Sequence, residues 1–94
     1  MIGLNTVVLS GHTRNDALFS TTRAGTEVCS FLLSIDSNRR VSVRVNVYDE
    51  GLVRVVRSKL EHDGYVIVEG QLMNRTTSDD LLLLEVRAQQ LIFV

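Results

Sequence analysis

Hydrophobic and polar residues alternate along most of the chain, and this alternation predicts five β-strands. The five strand patterns cover residues 4–11, 27–36, 41–48, 65–75 and 81–94. The third pattern is the most regular, because valines occupy every second position on one face and polar or aromatic residues occupy the other. The turn-rich segment 12–26 also contains a short, irregular strand pattern near Phe19. The sequence therefore predicts a mainly β protein.

Between the third and fourth strand patterns, the spacing of the hydrophobic residues changes to that of a helix. The residues at helical spacing are Leu52, Val55, Val56, Lys59 and Leu60. Asp49 is suited to cap the start of this helix, and Gly64 is suited to end it. We therefore expect one helix within residues 49–64.

The fourth strand pattern, "YVIVEGQLMNR" at 65–75, is largely apolar on both faces and is interrupted by Gly70. A glycine inside a strand allows a small barrel to bend sharply at that point. The residues predicted to face the core are Val7, Leu9, Val66, Val68, Leu72, Leu82, Leu84 and Val86. The apolar residues left outside form a predicted protein–protein interface, made of Val8, Leu32, Tyr65, Ile67, Leu81 and Leu83.

The length and charge of the chain limit the possible functions. The 94 residues suffice for one domain, spanning 1–94. The net charge is −1 and the pI is about 6.1, so any binding of nucleic acid must use a local basic patch. We see neither a secretory signal pattern nor an apolar run long enough to span a membrane, and we expect a protein that is not secreted and has no membrane partner.

The residues that could support catalysis or hold a metal are isolated from one another in the sequence. His12 and His62 have no partners at metal-ligand spacing, and Cys29 is predicted to be a small core residue. Phosphate-binding loops, zinc-ligand pairs and nucleophile elbows are absent from the sequence. We therefore predict a protein that is not an enzyme and uses no metal, cofactor or small-molecule substrate.

The order of three strands, one helix and two strands is that of the OB-fold, an all-β, five-stranded Greek-key barrel with its helix between the third and fourth strands. The chain also resembles the single-stranded-DNA-binding protein branch of the OB-fold over nearly its whole length. The matching segments are "NTVVLSG" (5–11), "AGTEVCSFLL" (24–33), "VRVNVYDEGL" (43–52), "GYVIVEGQLMNR" (64–75) and "LEVRAQQLIF" (84–93). This resemblance implies a protein that binds single-stranded nucleic acid and pairs with other OB-folds.

The chain departs from typical bacterial members of this family in two respects. It has no tryptophan, although Tyr48 matches one of the family's stacking aromatics and Ser42 replaces another. The sequence also ends with its last strand pattern and lacks the family's acidic C-terminal tail. We therefore expect either an excised domain or a protein other than a housekeeping member of the family. Each lost stacking platform removes roughly 1–3 kcal/mol per base, so we expect weak binding.

The resemblance and the polar face of the third strand together predict the binding site. The predicted nucleic-acid-binding residues are Arg39, Arg40, Arg44, Asn46, Tyr48 and Arg75. Arginine suits this role because its guanidinium group pairs with phosphate and stacks on bases without reading the sequence.

The resemblance allows two nucleic-acid-binding interpretations and, as a third, a pure scaffold whose nucleic-acid face is vestigial. The favoured one is a module that pairs with other OB-folds, as a homo- or hetero-oligomer, and weakly binds single-stranded RNA within a complex similar to the kinetoplastid mitochondrial RNA-editing complex. The alternative is an autonomous, homo-oligomeric single-stranded-DNA-binding protein or a replication accessory protein similar to PriB. The first interpretation implies a mitochondrial location and the second a bacterial cytoplasm.

Overall fold

The strands form one sheet that closes into a barrel. The computed structural model describes residues 3–14, 16–60 and 64–94. Its elements are β1 Val7–Thr13, β2 Leu18–Thr21, β3 Glu27–Asp36, β4 Val41–Val47, α1 Glu50–Lys59, β5 Tyr65–Thr76 and β6 Leu82–Phe93. The strand order is β1-β5-β6-β4-β3-β2, and β1 also pairs with β3, which closes the barrel. The predicted five-stranded OB-fold is confirmed, with β2 as the short additional strand near Phe19 and the helix between β4 and β5.

The core lies inside the barrel and is covered at one end by α1. Buried side chains include Phe31, Leu33, Val45, Val66 and Val86, while Val53 and Val56 of the helix pack against them. Cys29 is also buried, as predicted. Burial, with a smaller effect from the negative charge of Glu27, raises the pKa of the Cys29 thiol to about 11. The thiol is therefore protonated at neutral pH.

The helix begins as predicted but ends earlier. The Asp49 carboxylate accepts a hydrogen bond of 3.0 Å from the backbone N–H of Leu52, which caps the first turn. The helix ends at Lys59, and Leu60 is its C-cap with an extended ψ of 125°. Gly64 therefore precedes β5 and does not end the helix.

Gly70 lies where two strands approach each other unusually closely. The register of β5 against β6 shifts between Glu69 and Gly70. A Cβ atom at position 70 would lie 2.1 Å from the carbonyl oxygen of Arg87, a distance that no side chain tolerates. Gly70 is thus required by close backbone contact at the irregularity in the barrel wall.

Three residues predicted to be in the core are exposed. Leu72 is 39% exposed, Leu82 66% and Leu84 63%, although they lie on the same face as the buried Val86. The reason is that β5 after Gly70 and β6 before Val86 form strand pairs only with each other within the described residues. This part of the β5–β6 hairpin extends past the barrel, so its inward face has no core to cover it.

Candidate nucleic-acid interface

The predicted binding residues of β4 lie on the outer face of the barrel, near the middle of the sheet. β4 lies between β3 and β6, and its valines at positions 45 and 47 are completely buried. Arg44, Asn46 and Tyr48 alternate with these valines and face outward. The strand registers place Leu32 opposite Arg44 and Arg87 opposite Asn46. We call this surface of β3, β4, β5 and β6 the outer face.

Glu85 joins three of the predicted residues into one cluster. Its carboxylate accepts hydrogen bonds from Asn46 Nδ2 at 2.8 Å and from Arg75 Nε at 2.9 Å, and Arg44 Nε lies 3.7 Å from it. Glu85 is 3% exposed and Asn46 is 8% exposed, so both are buried beneath the arginines. The two arginines and the carboxylate carry a net charge of +1, and we call them the Glu85 cluster.

Tyr48 supplies an aromatic ring at the other end of the outer face. It is 37% exposed, and the guanidinium carbon of Arg87 lies 5.0 Å from the centre of its ring. A groove of about 390 Å³ adjoins the ring and is bordered by Leu18 of β2, which is 67% exposed. The ring, the cation and the groove together form a surface on which a base can stack.

The two arginines of the β3–β4 hairpin lie apart from the Glu85 cluster. Arg39 Nε is 3.8 Å from the Asp36 carboxylate, which also accepts hydrogen bonds from the backbone N–H groups of Asn38 and Arg39. Arg40 lines a different groove, formed with the end of β1. The predicted set of six residues is therefore divided between the middle of the outer face and the hairpin.

Sequence reasoning missed Glu85, Arg87 and Leu18. The first two could have been found, because they alternate with the core residues Val86 and Ala88 and must therefore face outward. Leu18 lies in a turn-rich segment, where no periodicity indicated its direction. Its register with Ser30, which in turn lies opposite Asn46, places it on the outer face.

The predicted interface residues belong to different surfaces. Val8, Tyr65 and Ile67 lie together on the outside of β1 and β5, and Ile92, which is 56% exposed, lies directly opposite Ile67. We call these four residues the apolar wall. Leu32 and Leu83 instead lie opposite Arg44 and Arg75, on the outer face. Leu81 lies in the turn between β5 and β6, where its N–H donates to Thr77 Oγ1.

The described residues contain neither a metal-binding cluster nor a membrane-spanning helix. Within residues 3–14, 16–60 and 64–94, no group of three or more His, Cys, Asp or Glu side chains could hold a metal ion. The single described helix is too short and too polar to cross a membrane. The predicted isolated histidine His62 lies outside the described residues.

Comparison with known proteins identifies the family. The sequence matches the single-strand binding protein family over residues 4–93. The chain belongs to this family. Members of the family are non-catalytic binding proteins, which agrees with the prediction of a non-enzyme. No match was found among the curated proteins.

Two solved structures share the fold closely. One is the single-stranded-DNA-binding protein of Plasmodium falciparum in complex with single-stranded DNA, with a TM-score of 0.85, 22% identity and coverage of 100% of this chain and 97% of that chain. The other is the mitochondrial single-stranded-DNA-binding protein Rim1 of S. cerevisiae, with a TM-score of 0.82, 10% identity and coverage of 98% and 97%.

Proposed function

We propose that this protein binds single-stranded DNA through its outer face, weakly and without sequence preference. The observation that carries the proposal is that Tyr48, Arg87 and the Glu85 cluster lie on one continuous surface of three neighbouring strands. Stacking and phosphate pairing are the two interactions that bind a single strand without reading its bases. Membership of the single-strand binding protein family supports the same ligand.

Weak binding is expected because few groups on this face are available to the ligand. Tyr48 is the one aromatic ring beside Arg87 and the Glu85 cluster in the described part of the chain, because the equally exposed Tyr65 lies at the start of β5, on the apolar wall. The charge of Arg44 and Arg75 is partly cancelled by Glu85. Each stacked base contributes roughly 1–3 kcal/mol, so a single platform gives modest affinity.

The similarities favour the autonomous DNA-binding interpretation over the RNA-editing one. Both structures described above are single-stranded-DNA-binding proteins, and neither belongs to an RNA-editing complex by its description. The yeast protein is mitochondrial, and this similarity supports a mitochondrial location. We therefore take DNA as the ligand and include RNA in the test.

We propose further that a second copy of the chain covers the apolar wall. The wall combines Val8, Tyr65, Ile67 and Ile92 beside β1, and β1 pairs with β3 only at His12 and Thr13 within the described residues. Residues 7–11 thus leave one backbone edge available for a strand of a partner. An apolar surface beside a free strand edge is typical of a subunit contact.

The binding proposal is tested by fluorescence anisotropy with labelled oligo-dT of about 15 nucleotides, within the site size of an OB-fold. Tyr48→Ala should weaken binding by about 5- to 150-fold, since one stacked base contributes roughly 1–3 kcal/mol. Tyr65→Ala is the matched control, because Tyr65 is equally exposed, at 37%, but lies on the apolar wall. Equal affinities for the two variants, or tighter binding of oligo-U than of oligo-dT, would contradict the proposal.

A further inference from the structure

A second polar groove lies at the end of the barrel where β1 ends and the β3–β4 hairpin turns. Its volume is about 700 Å³, and it is lined by His12, Arg14, Ser34, Ser37, Arg40 and Ser42. Of these residues, only Arg40 was predicted to bind nucleic acid. We call this feature the hairpin groove.

The hairpin groove continues the outer face. The strand registers place His12 opposite Ser34 and Ser34 opposite Ser42, so the three side chains form a row across β1, β3 and β4. Ser42 is two residues from Arg44 on the same strand and therefore on the same face. Along β4, the distance from Ser42 to Tyr48 is about 20 Å at roughly 3.3 Å per residue. A strand that stacks on Tyr48 and follows β4 therefore arrives at the hairpin groove.

The groups lining the hairpin groove are free to bind an anion. Arg14 and Arg40 have no carboxylate partner among the described residues, whereas Arg39, Arg44 and Arg75 each have one. The hydroxyl groups of Ser34, Ser37 and Ser42 make no hydrogen bond within the described part of the chain. Guanidinium and hydroxyl groups are the side-chain donors that most often hold phosphate oxygens.

The backbone of the hairpin determines where its two arginines lie. Arg40 has a φ of 57°, in the left-handed region that is unfavourable for a residue with a long side chain. Asp36 holds the N–H groups of Asn38 and Arg39, and Arg40 N–H donates to the Ser37 carbonyl at 3.4 Å. The turn thus keeps Arg39 beside Asp36 and leaves Arg40 in the groove.

We infer that the hairpin groove binds backbone phosphates of the DNA strand after the strand leaves the Tyr48 end of the outer face. This inference rests on the proposed function. Arg14 and Arg40 pair with the phosphate oxygens, and the serine hydroxyls donate to them. The groove thereby adds positive charge to the binding surface. The Glu85 cluster offers less positive charge, because its carboxylate cancels part of the charge of its arginines.

The test compares the salt dependence of oligo-dT binding in Arg14→Gln/Arg40→Gln with that of the parent and of Arg23→Gln/Arg54→Gln. The control removes the same charge from two arginines that lie outside both grooves and have no ion pair within the described residues. Each phosphate contact in a single strand contributes about −0.7 to the slope of log K against log salt. For Arg14→Gln/Arg40→Gln, the slope should therefore be shallower than that of the parent by about 1.4. The control should have the same slope as the parent.

The possible outcomes separate the two proposals. If the parent binds oligo-dT and the groove variant keeps the slope of the control, the hairpin groove is not a phosphate site and the proposed function stands. If the parent does not bind oligo-dT at all, the proposed function fails. Circular dichroism confirms that both double variants remain folded, and chemical-shift changes at the amides of Ser34 and Ser42 on adding oligo-dT report contact at the groove directly.

Discussion

Glu85 controls how much arginine charge the outer face offers to a phosphate. Its carboxylate is almost completely buried, yet it is satisfied by Asn46 and Arg75 and lies close to Arg44. Both arginines approach Glu85 through the Nε atom. Arg44 also donates from a terminal nitrogen to Ser30 Oγ at 3.2 Å, whereas the terminal nitrogens of Arg75 make no hydrogen bond within the described residues. Glu85 therefore both positions the arginines and cancels one of their two positive charges.

Glu85→Gln should raise the affinity for oligo-dT at low salt and make binding more salt-dependent. Removing the carboxylate releases Arg44 and Arg75 for phosphates, and each added contact makes the slope steeper by about 0.7. Stability should fall by about 1–3 kcal/mol, since a buried hydrogen-bonding group loses a charged partner. Glu50→Gln is the matched control, because Glu50 is exposed in the first turn of the helix and has no ion pair within the described residues. If both variants bind alike, Glu85 does not restrain the arginines.

At the scale of the elements, the long β5–β6 hairpin has two distinct parts. Up to Gly70, β5 pairs with β1 and β6 and faces the core. Beyond Gly70, β5 pairs with β6 alone, and β6 loses its pairing with β4 before Val86. The register shift at Glu69–Gly70 separates these parts, and the absence of a side chain at Gly70 allows the Arg87 carbonyl to approach. Gly70 is thus the position on which the geometry of the hairpin depends.

Gly70→Ala should destabilise the protein by about 1–3 kcal/mol, the usual cost of inserting an atom where packing leaves no room. The new Cβ would meet backbone, which yields less readily than the end of a side chain. Thermal unfolding should show a Tm lower by about 4–8 °C for each kcal/mol. Gly3→Ala serves as the control, because a Cβ there meets nothing within 4 Å. Equal Tm values for the two variants would show that the strands can separate at no cost.

The elements were predictable from the sequence because they depend on local periodicity. The valines of β4 occupy every second position and share one face, and Asp49 marks the first turn of the helix. The exposure of Leu82 and Leu84 was not predictable, because alternation tells which face a residue occupies and not whether another element covers that face. The positions of Arg14 and Leu18 depend on the path of a turn-rich segment, which periodicity does not encode. The candidate site was therefore predicted on β4 and missed at its two ends.

For the molecule as a whole, the exposed apolar surface and the free strand edge occur together. Val8, which is 66% exposed, lies on the part of β1 that is unpaired on one side within the described residues, and Ile92, which is 56% exposed, lies on β6 opposite Ile67 of β5. The wall involves the start of β5 and the end of β6, whereas the Glu85 cluster and Tyr48 lie at the end of β5, the middle of β6 and along β4. A second copy could therefore cover the apolar wall and leave the proposed DNA-binding surface of each copy accessible.

We accordingly predict that the purified protein is a homo-oligomer and that Ile67→Glu dissociates it. Burying an apolar side chain of this size contributes on the order of 1.5–3 kcal/mol, and a buried, unpaired carboxylate would reverse that contribution. Size exclusion with light scattering measures the change in mass, and Val8→Glu repeats it at a residue too exposed to disturb the core. Leu82→Glu places the same charge on the exposed hairpin and should leave the mass unchanged. A parent protein that is monomeric at high concentration would refute the contact. Dissociation by Leu82→Glu alone would show that the contact lies on the β5–β6 hairpin and not on the apolar wall.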